Sequence, residues 1–201
     1  MKFHAFKPLT RTIACVAALT FSVCVQAASV EVAGIPFQDR IEIGSSNLQL
    51  NGAGVRWRTI FKVYAAGLYV SRKTTTLDEV IAAPGAKRIR LVMLRDLEAD
   101  QISQLFMRGV TRNLPPLESI RLTQTMLKLA EALSAVKRFA PGDVLTIDYD
   151  PKTGTSFHAK GQQRGETIPG PAVFDAAMHI WLGSDPADWK LKDLLLGKTA
   201  E

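Results

Sequence analysis

Few side chains in this sequence are suited to nucleophilic or metal chemistry. The chain has two cysteines, Cys15 and Cys24, and only two of its histidines, His158 and His179, lie beyond residue 27. These have no HExxH spacing and no cysteine near them, so no protein-ligated metal is expected. His179 stands beside Ile180 and Trp181 in an apolar helical pattern and reads as a packed, hydrogen-bonded residue. No G-x-S-x-G elbow is present to supply a serine nucleophile. Two apparent phosphate loops also fail. Gly52-Ala53-Gly54-Val55-Arg56-Trp57 begins like a dinucleotide fingerprint but has Trp57 where the third glycine belongs. Gly197-Lys198-Thr199 follows no glycine at Lys192 and has too little chain after it for a helix. What remains is cationic and phenolic. Arg56 reads either as a solvent-facing member of Arg56-Trp57-Arg58 or as a cleft residue. Tyr64 and Tyr69 share one strand at odd separation and so face opposite sides of a sheet. Lys62 has the parity of Tyr64 and could support an anion, or else snorkel at the surface.

The N-terminus limits which partners these groups can meet. Lys2, Lys7 and Arg11 precede an apolar run from Thr12 to Cys24, and Val25-Gln26-Ala27 fits a cleavage site, so residues 1–27 are expected to be a signal peptide. At about 1.5 Å per residue this run is too short to span a bilayer, so no stable membrane anchor is expected after cleavage. Val23 is too bulky to precede a lipidated cysteine. The formal charge of +6 loses three Lys/Arg and no Asp/Glu with the signal, leaving +3, too weak a bias to imply a nucleic-acid partner. The mature chain, 28–201, has no cysteine and fits a periplasmic location.

The elements needed to position Arg56 and Tyr64 follow from periodicity. Ile35 to Phe37, Arg40 to Ile43, Leu48 to Leu50 and Ile60 to Val70 read as strands of an antiparallel meander, with turns at Gly44 to Asn47 and at Asn51 to Gly54. Leu77 to Ala83 reads as a short helix ended by Pro84-Gly85, before a strand at Arg88 to Leu94. The period then changes. Asp100 to Asn113 is amphipathic, and Pro115-Pro116 breaks it. From Leu117 to Val136, Leu122, Met126, Leu129, Leu133 and Val136 form a core-facing stripe. Val144 to Tyr149 and Thr155 to Lys160 read as a hairpin joined at Asp150 to Gly154. Gly170-Pro171 opens a helix to Leu182, and Asp185-Pro186 opens a last one ending near Leu196 and Gly197. Trp181 and Trp189 are expected to close the core beneath these helices. The fold class is α+β.

The segment from Leu50 to Val70 resembles the chalcone isomerase family closely. It carries a glycine-rich turn, Arg56, and then Lys62-Val63-Tyr64-Ala65-Ala66-Gly67-Leu68-Tyr69. Leu94-Arg95-Asp96-Leu97, Asp150-Pro151-Lys152-Thr153-Gly154-Thr155, Ile168-Pro169-Gly170 and Ile180-Trp181-Leu182-Gly183 resemble the bacterial chalcone-isomerase-like proteins in particular. The resemblance implies an open-faced β-sandwich, a large antiparallel sheet with helices packed on one face. It also implies a cleft between helices and sheet, with Arg56 in it and the strand Ile60 to Val70 along its wall.

The family includes isomerases that cyclise chalcones, fatty-acid binders and non-catalytic helpers. In the isomerases an arginine works with a strand threonine and a helix tyrosine and asparagine. Carried over by motif, these positions are Arg56, Tyr64, Ile102 and Gly109. Ile102 and Gly109 supply no donor to a developing enolate, where each donor contributes roughly 3 to 4 kcal/mol. The tyrosine at 64 resembles the fatty-acid binders, in which it joins the arginine in holding a carboxylate. A guanidinium fork matches a carboxylate in two bonds, each contributing about 1.5 to 3 kcal/mol. A buried tail adds about 0.8 kcal/mol per CH₂. The resemblance therefore implies a non-catalytic, periplasmic binder of a small amphipathic carboxylate such as a fatty acid, held by Arg56 and Tyr64, with no cofactor. The alternative is an isomerase or intramolecular lyase acting on a chalcone-like unsaturated carbonyl or phenolic ligand, with Arg56 and Tyr64 catalytic. A third possibility is a module whose cleft is plugged by Phe61 or Phe106.

Overall fold

A computed structural model describes residues 28–198. The proposed signal peptide and Thr199 lie outside the described residues. Seven strands form one antiparallel sheet: β3 (Arg40–Ile43), β4 (Ser46–Arg58), β5 (Phe61–Val70), β6 (Lys87–Met93), β9 (Val144–Asp150), β10 (Gly154–Ala159) and β11 (Gln162–Ile168). Their spatial order is β11-β10-β9-β6-β5-β4-β3. Two small ribbons stand apart, β1 (Ser29–Val32) with β2 (Ile35–Gln38) and β7 (Leu97–Glu98) with β8 (Arg138–Phe139). The helices are α1 (Leu77–Ala82), α2 (Ala99–Asn113), α3 (Pro116–Ser134), α4 (Ala172–Leu182) and α5 (Trp189–Leu195).

The larger core lies between the sheet and its helices. Tyr64, Ala66, Leu68 and Val70 of β5 face Phe106 and Val110 of α2, Met126, Leu129 and Leu133 of α3, and most of α4. The period-2 alternation of β5 turns Ala65 and Tyr69 the other way, where Phe37 of the β1–β2 ribbon joins a second cluster. Both faces of β5 are thus buried from Val63 to Val70. Ile35 to Phe37, expected in the meander, instead pair with β1 as this cover. Tyr64 and Tyr69 fall on opposite faces, as their spacing requires.

Several local expectations change. Gly52-Ala53-Gly54 is no turn, because β4 runs straight through it. The glycines are there for close approach. A Cβ on Gly52 would come within 2.0 Å of the Leu194 carbonyl, and one on Gly54 within 2.6 Å of the Leu194 side chain, so α5 lies directly on the β4 backbone. The actual turn is at Thr59, with φ of 57°, and Ile60. Pro116 breaks α2 from α3 but also begins α3, where its missing N–H leaves no bond unmade. The last helix starts at Asp188, whose carboxylate caps the Leu191 N–H at 3.1 Å, three residues after Asp185. Trp181 closes the core as expected, but Trp189 is 59% exposed because it begins α5 on its outer side. Strand β11, with Gln162, Gln163, Arg164 and Glu166, was hidden by its lack of apolar alternation and sits at a sheet edge.

The helix α5 is tied to β4 at both ends. The buried Asn51 amide donates to Leu195 O at 2.7 Å and Thr74 O at 2.9 Å, and accepts from Thr74 N at 2.7 Å. At the other end the Trp57 N–H donates to Asp188 at 2.9 Å. Gly52→Ala should therefore destabilise the fold by about 1 to 3 kcal/mol by overpacking. For a domain of this size that is a fall in Tm of roughly 2 to 12 °C, measurable by calorimetry. An unchanged Tm would show that α5 is free to move off the strand.

Candidate functional site

The pairing of β4 with β5 sets Arg56 directly opposite Tyr64, so both side chains emerge on the helix face of the sheet. They meet a cavity of about 170 Å³ floored by Val63, Leu91, Met93 and Leu145. Its walls are α2 residues Ile102, Leu105, Phe106 and Gly109 and α4 residues Ile180 and Trp181, and it is rimmed by Asp185 to Ala187. The lining is mainly apolar, and Arg56 is the cation the sheet contributes.

Tyr64 is fixed by its neighbours. The Trp181 indole N–H donates to the Tyr64 hydroxyl at 2.8 Å, in a bond buried from water. The Arg56 guanidinium carbon lies 5.5 Å from the centre of the Tyr64 ring, a cation–π contact. Burial pushes the Tyr64 phenol upward, only partly opposed by the Arg56 charge and the Trp181 hydrogen bond. It is a neutral group whose oxygen accepts from Trp181, and whose proton is still available to donate. Arg56 is differently placed. Its Nε is buried with no hydrogen-bond partner, and among the described residues Arg56 forms no ion pair. A donor left this way carries the full cost of desolvation unless an acceptor enters the cavity.

Ile102 and Gly109 line the cavity, as the family motif implies, and neither supplies a polar side chain. Gly109 has a packing role as well, since a Cβ there would stand 2.9 Å from Ile180 Cγ2, where α2 closes on α4. Lys62 does not enter. It is exposed and its Nζ stacks 5.4 Å from the Trp57 ring, so the shared parity with Tyr64 ends at the irregular pairing beside Arg56 and Trp57. Neither Phe61 nor Phe106, the plugs of the third possibility, fills the space. Phe61 is 54% exposed, while Phe106 forms part of the wall, edge-to-face with Phe157 at 6.0 Å. His158 and His179 lie outside this cavity, and among the described residues no group of three or more His, Cys, Asp or Glu could hold a metal.

The sequence reading did not assign Trp181 to the site. Its helix spacing marks it only as buried, and the hydrogen bond to Tyr64 comes from an element 117 residues away. Arg108 and Arg112, one turn apart on α2 at the rim, were likewise missed. Arg112 lies 3.4 Å from Asp185 across the opening.

With sheet, helices and cavity in place, the chain matches the chalcone isomerase-like family over residues 29–197 and belongs to it. Among solved structures it is similar to a fatty-acid binding protein from Arabidopsis thaliana, with a TM-score of 0.68 at 16% identity. The match covers 84% of this chain and 96% of that one. This likeness establishes the α+β fold, the large antiparallel sheet with its helices. No curated protein sequence matches the chain.

Burial also pushes the Tyr69 phenol up to about 12, on the other face of the sheet. An unfolded tyrosine ionises near 10, so the folded chain retains protons that the unfolded chain releases above that pH. The stabilisation from the Tyr69 phenol should therefore be complete below about pH 10 and be lost as pH rises toward 12, and the raised Tyr64 phenol acts in the same direction. Thermal melts across that range should show Tm falling, and Tyr69→Phe should flatten the fall. A Tm independent of pH there would show that the phenols are not buried.

Proposed function

We propose that this protein binds a small amphipathic carboxylate, such as a fatty acid, without catalysis, and that Arg56 and Tyr64 hold its head group. The observation that carries this reading is the buried, unpartnered Arg56 Nε beside an apolar cavity. An anion entering there gains a charge-assisted bond from Arg56 and a neutral one from the Tyr64 hydroxyl, while its tail covers Leu91, Met93 and Leu145. The similar Arabidopsis structure is that of a fatty-acid binding protein. The space of about 170 Å³ is slightly larger than a 150 Å³ cavity known to hold benzene, so it takes one ring or about six carbons before a tail must extend past the rim. We place the mature protein in the periplasm, delivered by cleavage after Ala27, which the intact mass of protein recovered from that compartment would test.

Calorimetric titration with octanoate should give an affinity that Arg56→Ala lowers about 10- to 100-fold and Tyr64→Phe lowers by less than about tenfold. Octanol should bind weakly and equally to wild type and Arg56→Ala. If Arg56→Ala binds octanoate as well as wild type, the carboxylate is held elsewhere. Each added CH₂ should tighten binding about fourfold over the first six carbons, and less beyond them. Mixed with a chalcone, the protein should leave the rate of absorbance loss at background. A rate above background that Arg56→Ala abolishes would favour an isomerase.

A further inference from the structure

The hairpin between β4 and β5 ends in side chains that its own fold leaves uncovered. Ile60 is 75% exposed, Phe61 54% and Trp57 43%. Thr59 in the left-handed region makes the turn tight, so Ile60 stands at the apex with Phe61 beside it as the first residue of β5. In the register, Trp57 pairs with Lys62 and Arg58 with Phe61, so the two aromatic rings project from opposite sides of the ribbon. Each ring carries a cation, Lys62 Nζ at 5.4 Å from Trp57 and the Arg95 guanidinium at 5.1 Å from Phe61. The same pairing recurs beside the hairpin, where the exposed Trp189 has Lys192 Nζ at 5.0 Å. Trp189 is held there because the preceding residue, Asp188, accepts from Trp57 N. The acidic groups nearby are already engaged, Asp188 with backbone N–H groups and Asp193 with Lys198.

We infer that this hairpin tip docks the protein on an anionic lipid surface. Apolar groups at an apex and on both sides of it, each ring with a cation beside it, suit a medium that surrounds the tip and carries negative charge at its surface. Aromatic residues with Lys and Arg beside them are the pattern that settles at the headgroup level of a bilayer. The cations complement negative headgroups, each changing partition about fivefold. The tip adjoins the Arg56 end of the cavity, since Trp57 follows Arg56 and the Asp185–Ala187 segment that rims the cavity leads into Asp188. Docking there would bring the cavity to the surface from which an amphipathic acid leaves or to which it returns. That last step rests on the proposed function, but the docking itself does not.

Sedimentation with vesicles tests it. The protein should pellet with mixed phosphatidylglycerol and phosphatidylcholine vesicles and stay in solution with phosphatidylcholine alone. The double variant Ile60→Ser, Phe61→Ser should lose about tenfold or more in partition. Arg58→Gln and Lys62→Gln should each lose about fivefold, and added salt should weaken binding. All of these residues are exposed and outside the cavity, so Tm and octanoate affinity should match wild type, which separates this result from any failure of the ligand reading. Wild-type protein left in the supernatant with anionic vesicles, or a double variant that still pellets, would overturn the inference. So would a tip variant that splits a dimer in sedimentation velocity, since that would make the tip a protein contact.

Discussion

An arginine whose Nε is buried without an acceptor is the constraint around which this molecule is arranged. Taking a guanidinium partly out of water is unfavourable unless its donors are used. The sequence could relieve it with a carboxylate on the facing helix, yet α2 presents Ile102 and Gly109 and α4 presents Ile180 and Trp181. A mainly apolar cavity with an unpartnered Arg56 Nε on its sheet side, and with Arg108 and Arg112 at its rim, is arranged to receive an anion with an apolar body.

Much of the rest of the fold serves to hold that cation in place. The two glycines of β4 let α5 lie on the strand, Asn51 ties the end of the helix, and Asp188 ties its start one residue beyond Arg56. The strand carrying Arg56 is therefore clamped by a helix from the far end of the chain. Tyr64, directly across from it, is clamped by Trp181. The β1–β2 ribbon closes the opposite face with Phe37, against Gly67, where a Cβ would come within 2.5 Å of the Phe37 ring. The sheet is thus stiffened from both sides beneath the site.

What was legible in the sequence follows from where the information lies. The strand from Phe61 to Val70 and the helices α2, α3 and α4 were readable because local periodicity encodes them, and the family motif singled out Arg56 and Tyr64. The glycines at 52 and 54 read as a turn, because their cause is the carbonyl and side chain of Leu194, some 140 residues on, and a pattern of neighbours cannot report so distant a contact. Trp189 was misread for the converse reason. A tryptophan near an apolar helix is ordinarily covered, and only the placement of α5 reveals that this one faces outward. The polar strand β11 carries no burial signal of its own, being an edge held by pairing with β10.

The most direct test is a crystal structure of the protein with octanoate bound. Electron density for the carboxylate is expected within about 3 Å of Arg56 Nε, with the tail running along Met93 and Leu91 toward the rim. A carboxylate found instead at the rim beside Arg108 and Arg112, with the tail buried against Arg56, would contradict it.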